Sequence, residues 1–366
     1  MRCAATCTTW RQEPYVASCD PVDVQGAAGE SSGCIRQQVR GVGAYHRPVH
    51  PVTFFGPEGT FTEEALLSQP DLAALPRSPQ RTIPDVIAAV ERGEFGVGVV
   101  PIENMIEGSV SITLDTLAFE SDLLVQREVD LPISLSFCVR PGVDLGDVRS
   151  VLSYPIAIAQ CRAWLARKVP QAEFQAANST ADAAREVARS KRQLGAICNP
   201  LAAQRYALRV VARDIEDHPE NQTRFVVVGH GVPGPTGHDK TSIVVFQRAD
   251  RPGSLLAILQ EFAARAINLT KLESRPTKKS LGDYCFFIDL DGHIADELVA
   301  DALRTVAAKQ AQVKFLGSYP VGGPQEAGVV KRRAATRAWR SASEWVDAIR
   351  SQVRATGGLD DEETVQ

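Results

Sequence analysis

A chain of 366 residues, 44% apolar and 23% charged, has material for a sizeable core, and its length suits two domains or one large domain with extensions. Its formal charge of -4 provides no basic footprint, which argues against nucleic acid as a main partner. No apolar run approaches the length that spans a bilayer, so no membrane partner is expected.

Residues 1–50 hold four of the eight cysteines, Cys3, Cys7, Cys19 and Cys34, among Gly, Ser, Gln and Arg without helical or strand periodicity. A secretory signal needs an apolar stretch after its basic start, and none is present. Cys3 and Cys7 lack a second pair at a zinc-like spacing, so the segment is expected to be a disordered leader without metal. Cys138, Cys161, Cys198 and Cys285 sit in apolar segments and read as small core residues. A reducing, cytoplasmic compartment is the expectation.

From Val52 the pattern alternates strand and helix. Residues 52–55 read as a strand and 56–59 as a tight turn. A helix opens at Thr60 with Glu63 three residues on, as in a capping box. Pro84 starts a second helix, whose apolar face is Val86, Ile87, Ala89 and Val90, and Gly93 ends it. Residues 96–101 predict a short buried strand and 109–119 another helix. Alternation at Val125, Arg127 and Val129, and again at Ile133, Leu135, Phe137 and Val139, predicts two half-buried strands around Pro132. Strand–helix units then resume: 151–152 before a helix at 157–168, 174–177 before one at 180–190, and 195–198 before one from Pro200. Strands at 210–211 and 225–228 complete the set.

Repeated βα units separated by a two-strand crossing predict an α/β domain of two lobes over 51–230, with the chain returning to the first lobe at its end. Lobe 1 would span about 51–128 and 212–230, and lobe 2 about 129–211. Ligands in such sheets sit at the carboxyl ends of strands, here in the cleft between lobes. A Pro/Gly-rich linker over 231–239 leads to a βαββαβ order over 240–320, the ferredoxin-like arrangement. Open edges of such a sheet commonly pair between subunits. In the tail, 321–366, a basic run at Lys331-Arg332-Arg333 precedes a helix faced by Trp339, Ala342, Val346, Ile349 and Val353. The acidic end, Asp360-Asp361-Glu362-Glu363, is expected to be disordered.

Four segments stand where the cleft should be. Gly56-Pro57-Glu58-Gly59-Thr60-Phe61-Thr62 is a glycine turn at a helix start, whose free N–H groups suit an anion. Pro101-Ile102-Glu103-Asn104 places polar groups at the carboxyl end of a buried strand. Asn178-Ser179-Thr180 caps a lobe 2 helix and offers further donors, a plain N-cap being the alternative. Glu220-Asn221-Gln222-Thr223-Arg224-Phe225 runs directly into the buried strand Val226-Val227-Val228-Gly229. Its amide, hydroxyl and guanidinium groups suit a polar or anionic ligand held at a strand edge, the alternative being an ordinary loop.

In this order and spacing the segments resemble the prephenate dehydratase family from Val52 to about Gly229. The linked module resembles an ACT domain of the phenylalanine-regulated kind, through Pro252-Gly253-Ser254-Leu255-Leu256 and Leu272-Glu273-Ser274-Arg275-Pro276. The resemblance implies a two-lobed, type II periplasmic-binding-protein-like catalytic domain joined to a ferredoxin-like ACT domain. It implies a carbon–oxygen lyase that converts prephenate to phenylpyruvate, carbon dioxide and water in phenylalanine biosynthesis. Aromatisation supplies most of the driving force, so neither cofactor nor metal is expected.

By the same resemblance Thr223 is the catalytic donor to the departing hydroxyl. A free Thr hydroxyl is a poor acid, so positioning and partial donation are its expected role. Arg224 and the helix start at Thr60 are the candidates for binding carboxylates. Asn104, Asn178 and Gln222 would orient the substrate, with Glu103, Ser179 and Phe225 completing the binding set; core packing is the alternative role of Phe225. Phenylalanine would bind between paired ACT modules near Gly253, Ser254, Leu255, Asn268, Leu269, Glu273, Ser274, Arg275 and Pro276. A homodimer or homotetramer through ACT and catalytic domains would supply that pairing. Met105 stands where Ser or Thr commonly follows Glu-Asn, and Tyr154 where His is common before Pro. Both bear on substrate placement and leave arogenate, the amino analogue, as an alternative substrate. A non-catalytic two-lobed amino-acid sensor is the alternative from another class, against which the intact Thr223-Arg224-Phe225 stands.

Overall fold

The computed structural model describes residues 50–247, 252–278, 283–310, 312–322, 339 and 341–352. The cysteine-bearing leader, the basic run at 331–333 and the acidic tail lie outside the described residues.

Strand β1 (Val52–Phe55) leads through the glycine turn to α1 (Phe61–Leu67). Thr60 accepts the Glu63 N–H at 3.4 Å, while the Glu63 carboxylate reaches back to the Gly59 N–H at 2.6 Å, one residue before the usual capping-box partner. Next come α2 (Pro70–Ala73) and β2 (Arg77–Gln80), neither signalled by periodicity. β2 contains Pro79 and no apolar alternation, which an edge strand paired only to β1 tolerates. Helix α3 (Ile83–Glu91) is capped by Thr82, and β3 (Val97–Asn104) follows it. β3 runs past Pro101 because Glu103 and Asn104 are paired on both sides, to the short β4 (Gly108–Ser109) and to a later strand. That return through β4 delays α4 to Ser111–Phe119.

Strand β5 (Leu124–Pro132) stays in the first sheet beyond residue 129, since Val129 and Leu131 are buried in its core. The second lobe contains β6 (Ser136–Val139), β7 (Ser150–Ser153), α5 (Pro155–Gln160) and α6 (Arg162–Lys168). It continues with β8 (Glu173–Ala176), α7 (Thr180–Arg189), β9 (Leu194–Cys198), α8 (Pro200–Arg205) and β10 (Arg209–Ala212). Where one helix was expected over 157–168 there are two. Asp217 separates them by donating its N–H to the Gln160 carbonyl at 2.6 Å and accepting the Ala163 N–H at 3.2 Å. The chain then returns on β11 (Gln222–Gly229).

The first sheet has the order β2-β1-β3-β11-β5, with β4 beside β3, and the second β10-β6-β9-β7-β8. β11 lies antiparallel between β3 and β5, so the segment containing Thr223 is threaded into the middle of lobe 1. The lobes also touch through α8: Arg205 donates to the buried Glu63 at 2.6 Å, and Asn199 donates to Glu64 at 2.6 Å.

The C-terminal module, expected to be an ACT domain, is formed by β12 (Asp239–Phe246), α9 (Ser254–Ala263), β13 (Leu269–Pro276), β14 (Tyr284–Asp291), α10 (Glu297–Lys309) and β15 (Gln312–Pro320). Its antiparallel order β13-β14-β12-β15 is the ferredoxin-like one. This sheet packs on lobe 1, so that Val125, Val226 and Val228 share one apolar cluster with Val244, Phe287 and Leu316. Gly317, at φ +143, brings β15 so close to β5 that a Cβ there would meet the Val125 carbonyl oxygen at 2.6 Å.

A tail helix over 341–350 leaves Trp345 66% and Ile349 46% exposed; Val353, expected on the same face, lies outside the described residues. Cys138, Cys161, Cys198 and Cys285 are buried free thiols. Among the described residues no helix is long and apolar enough to cross a membrane.

Candidate active site

Between the lobes lies a cleft of about 840 Å³. Lobe 1 lines it with the turn before α1, with Arg81 just after β2, and with Asn104, Asn221 and Thr223. Lobe 2 faces these with Tyr154, Gln160 at the end of α5, and the start of α7 at Asn178, Ser179 and Thr180.

The centre of the site is a cross-strand pair. The register sets Thr223 opposite Asn104 and Arg224 opposite Glu103. Alternation along a strand sends one pair into the cleft and the other to the opposite face. Asn104 is fixed at both ends of its amide. Its Oδ1 accepts the N–H groups of Ile106 at 3.0 Å and Glu107 at 3.1 Å. Its Nδ2 donates to Thr223 Oγ1 at 2.8 Å and to Asn221 Oδ1 at 3.1 Å. Two backbone donors on one end settle which end is oxygen. The Thr223 hydroxyl therefore accepts from Asn104, and its own proton has no acceptor among the described residues. Buried Asn221 passes the chain on, donating Nδ2 to Gln160 Oε1 at 3.3 Å across the lobes. With that oxygen engaged, the Gln160 amide presents its N–H groups to the cleft.

Other expected site residues fall into three groups. Asn178 lines the cleft with an exposed amide. Thr60 and Ser179 also line it, but as helix caps: Thr60 donates to the Phe55 carbonyl at 3.2 Å and accepts from Glu63, and Ser179 accepts the Asp182 N–H at 3.0 Å. Ser179 keeps its hydroxyl proton; that of Thr60 is committed. Phe225, 2% exposed, backs the cleft wall as part of the lobe 1 core. Gln222 contributes its backbone carbonyl to the Met105 N–H at 2.9 Å, while its side chain is exposed away from the cleft.

Two expectations require correction. Arg224 does not reach the cleft to bind a carboxylate, nor does Glu103 line it. Strand alternation turns both to the far face, where Arg224 Nη1 meets Glu103 Oε2 at 3.1 Å. Burial acts to lower the Arg224 pKa, but Glu128, Asp130 and Glu103 together hold it above its ordinary value. Met105 likewise takes no hydroxyl from the pocket, being 64% exposed and outside the lining. Tyr154, in contrast, does stand on the cleft wall.

The charged groups lining the cleft were not singled out by the sequence pattern. Arg185 on α7 is paired with Asp182 at 2.5 Å. Arg81 has no carboxylate partner among the described residues. Glu107 also lines the wall with an exposed side chain, and partial desolvation there pushes its carboxyl above the ordinary value. Gln160 could have been suspected only from the helical register that stacks it with Ile156 and Ala157, which line the same cleft; Arg185 shares a helix face with Asp182, three residues away. Among the described residues no cluster of three or more His, Cys, Asp or Glu is placed to hold a metal.

In the C-terminal module Gly253 caps α9 at φ +85, Ser254 accepts from Gln247 at 2.7 Å, and Leu255 packs into the module's core. Asn268 donates to Asp291 at 3.2 Å at the head of β13, where Leu269 begins the strand. Along β13, the terminal strand of its sheet, Ser274 and Pro276 are exposed while Glu273 and Arg275 alternate inward. Those two are engaged by lobe 1: Ser109 donates to Glu273 at 2.6 Å, and Arg275 pairs with Asp115 at 3.0 Å. Burial acts to raise the Glu273 pKa, but Ser109, Arg275 and Lys271 lower it below the usual carboxylate value.

Comparison with known proteins matches the prephenate dehydratase family model to residues 52–232 and the ACT domain model to residues 241–308. A prephenate dehydratase of Mycolicibacterium vanbaalenii is 43% identical over 290 residues, covering 74% of this chain and 91% of that protein. One from Mycobacterium bovis is 45% identical over 284 residues, covering 74% and 87%. Among solved structures, a prephenate dehydratase from Arthrobacter aurescens in complex with L-Phe superposes with a TM-score of 0.76 at 41% identity, covering 82% of this chain and 99% of that one.

Proposed function

The chain belongs to the prephenate dehydratase family, and from that premise we propose that the inter-lobe cleft carries out the family's lyase reaction with Thr223 as donor to the leaving group. In that reaction the bond between a ring carbon and its carboxylate breaks and its electron pair enters the ring. The pair of the opposite C–O bond departs with the hydroxyl, which becomes water on gaining a proton. Carbon dioxide and phenylpyruvate are the other products, and no outside oxidant or reductant takes part. Because aromatisation drives the step, the protein's work is to hold a dianion and ease the departure of hydroxide.

The observation that carries this reading is the direction of the Asn104–Thr223 hydrogen bond. With its lone pair engaged, the Thr223 hydroxyl is left to donate into the cleft, and donation from Asn104 polarises it further. As the C–O bond lengthens, charge gathers on the leaving oxygen and this contact strengthens, which favours the transition state over bound substrate. Arg81 and Arg185 supply positive charge for the carboxylates, and Gln160, Asn178 and Ser179 supply neutral donors. Phenylalanine as effector of the ACT domain, near Gly253, Asn268 and the end of β13, belongs to the same reading. The relative solved with L-Phe supports it. Assembly as a homodimer or homotetramer, with β13 as one pairing edge, and residence in the cytoplasm complete it.

The test is conversion of prephenate to phenylpyruvate by the purified full chain beside Thr223→Val. The variant is expected to lose about 10²–10³-fold in kcat, the scale of a missing transition-state donor. Wild-type turnover in the variant would refute the assignment.

A further inference from the structure

β3 and β11 meet in two successive cross-strand pairs, Asn104 with Thr223 on the cleft face and Glu103 with Arg224 on the face toward the ACT domain. On that second face, two of the carboxylates that hold Arg224 are each shared with an ACT lysine. Glu103 Oε2 lies 3.1 Å from Arg224 Nη1 and 3.6 Å from Lys271 Nζ on β13. Glu128 Oε1 lies 3.5 Å from Arg224 Nε and 2.7 Å from Lys240 Nζ on β12. The Lys240 and Glu128 side chains are only 5% and 2% exposed, so solvent and salt screen this contact little. Asp130 Oδ1, 3.4 Å from Arg224 Nε, adds a third carboxylate from β5.

We infer that Arg224 is a positioning residue that sets the Asn104–Thr223 hydrogen bond, and that Lys240 and Lys271 make this setting depend on how the ACT domain sits. Removing Lys240 leaves the charge of buried Glu128 to Arg224, and an undercompensated buried charge is costly. Removing Lys271 leaves the one-third exposed Glu103 without its ACT cation, a smaller loss in the same direction. The guanidinium must then redistribute between Glu103 and Glu128. Arg224 is the peptide neighbour of Thr223, and Glu103 of Asn104, so a shift on one face of the strand pair is a shift on the other. Hydrogen-bond strength falls steeply with distance and angle, which turns a small displacement into a change in donor quality. The ACT domain and the catalytic hydroxyl are in this way tied by a coupling free energy.

The inference rests on Thr223 as donor, so steady-state kinetics on prephenate with full-chain R224Q, K240M and K271Q include Thr223→Val. A residue that positions without touching substrate lowers kcat and leaves KM alone. R224Q is expected to lose about tenfold or more in kcat with KM within about threefold. K240M and K271Q, both outside the cleft, should shift kcat in the same direction, and K240M added to R224Q should cost nothing further. If K240M does not fold, E128Q/K240M removes both charges together and gives the same readout beside K271Q. A KM rise of about tenfold at unchanged kcat in R224Q, or wild-type kcat in both lysine variants, overturns the inference. An inactive Thr223→Val beside an unimpaired R224Q overturns it alone; an active Thr223→Val overturns the donor assignment and this inference with it.

Discussion

Asn104 gives its Nδ2 proton to Thr223 Oγ1 at 2.8 Å, and the direction of that bond is imposed from outside the pair. The N–H groups of Ile106 and Glu107 occupy the amide oxygen, so Asn104 cannot turn to accept from the threonine. A β-turn after the strand thus decides which way a hydroxyl on the neighbouring strand points its proton.

Replacing Asn104 with Asp tests that direction at constant shape. The carboxylate still accepts from Ile106 and Glu107, but it takes the Thr223 proton instead of leaving it for the substrate. A fall in kcat of about 10²–10³-fold is expected with the circular dichroism spectrum unchanged. A variant of near wild-type kcat would mean that the threonine does not act as donor.

Arg81 is the cleft cation without a carboxylate partner among the described residues. A charge-assisted hydrogen bond contributes about 1.5–3 kcal/mol, so Arg81→Met should raise KM for prephenate by roughly 10–100-fold with kcat nearly constant. Arg81→Lys should recover part of the loss, since it restores charge without the planar fork. An unchanged KM in Arg81→Met would remove the residue from the site.

Glu107 predicts the pH dependence. Partial desolvation at the cleft wall raises its carboxyl pKa above the ordinary 4.5, so the neutral form persists to somewhat higher pH than in the unfolded chain. A raised acid pKa costs stability as pH climbs, because the folded state resists ionisation; that cost is absent well below 4.5. In the cleft the same ionisation sets a negative charge before a dianion. KM for prephenate should therefore rise with pH through the Glu107 titration, and Glu107→Gln should flatten that rise. Arogenate, which carries an ammonium group, should show a weaker or opposite slope.

Gly317→Val tests the seam between β15 and β5. A Cβ at this position would lie 2.6 Å from the Val125 carbonyl oxygen, and φ +143 is strained for any larger residue. Urea denaturation should show a loss of about 1–3 kcal/mol, as for overpacked sites. An unshifted midpoint would mean that the two strands part easily.

The alternating βα pattern and the threonine segment were readable because burial imposes a period that sequence carries. β2 was not, since an edge strand of Arg, Ser, Pro and Gln has no apolar face to reveal it. Nor was the break at Cys161, which depends on Asp217 arriving from far along the chain. Reading the last strand only from Phe225 puts both Thr223 and Arg224 in the cleft. It begins at Gln222, so alternation sends the two to opposite faces, and the ACT domain covers the face that takes Arg224. Gln160 and Arg81 became site residues only through tertiary placement, the first by a contact to Asn221 sixty-one positions away.

The apolar cluster shared by Val125, Val226 and Val228 with Val244, Phe287 and Leu316 has a consequence for how the protein comes apart. The Pro/Gly stretch before β12 marks where the chain changes sheets, but the free energy of folding is not divided there. A chain ended at that stretch would present its lobe 1 valines to water and should associate or melt early. The intact protein should lose lobe 1 and the ACT domain in one cooperative transition. Its regulatory half is thus also a structural lid over the enzyme's interior, and selection on either half acts on the stability of both.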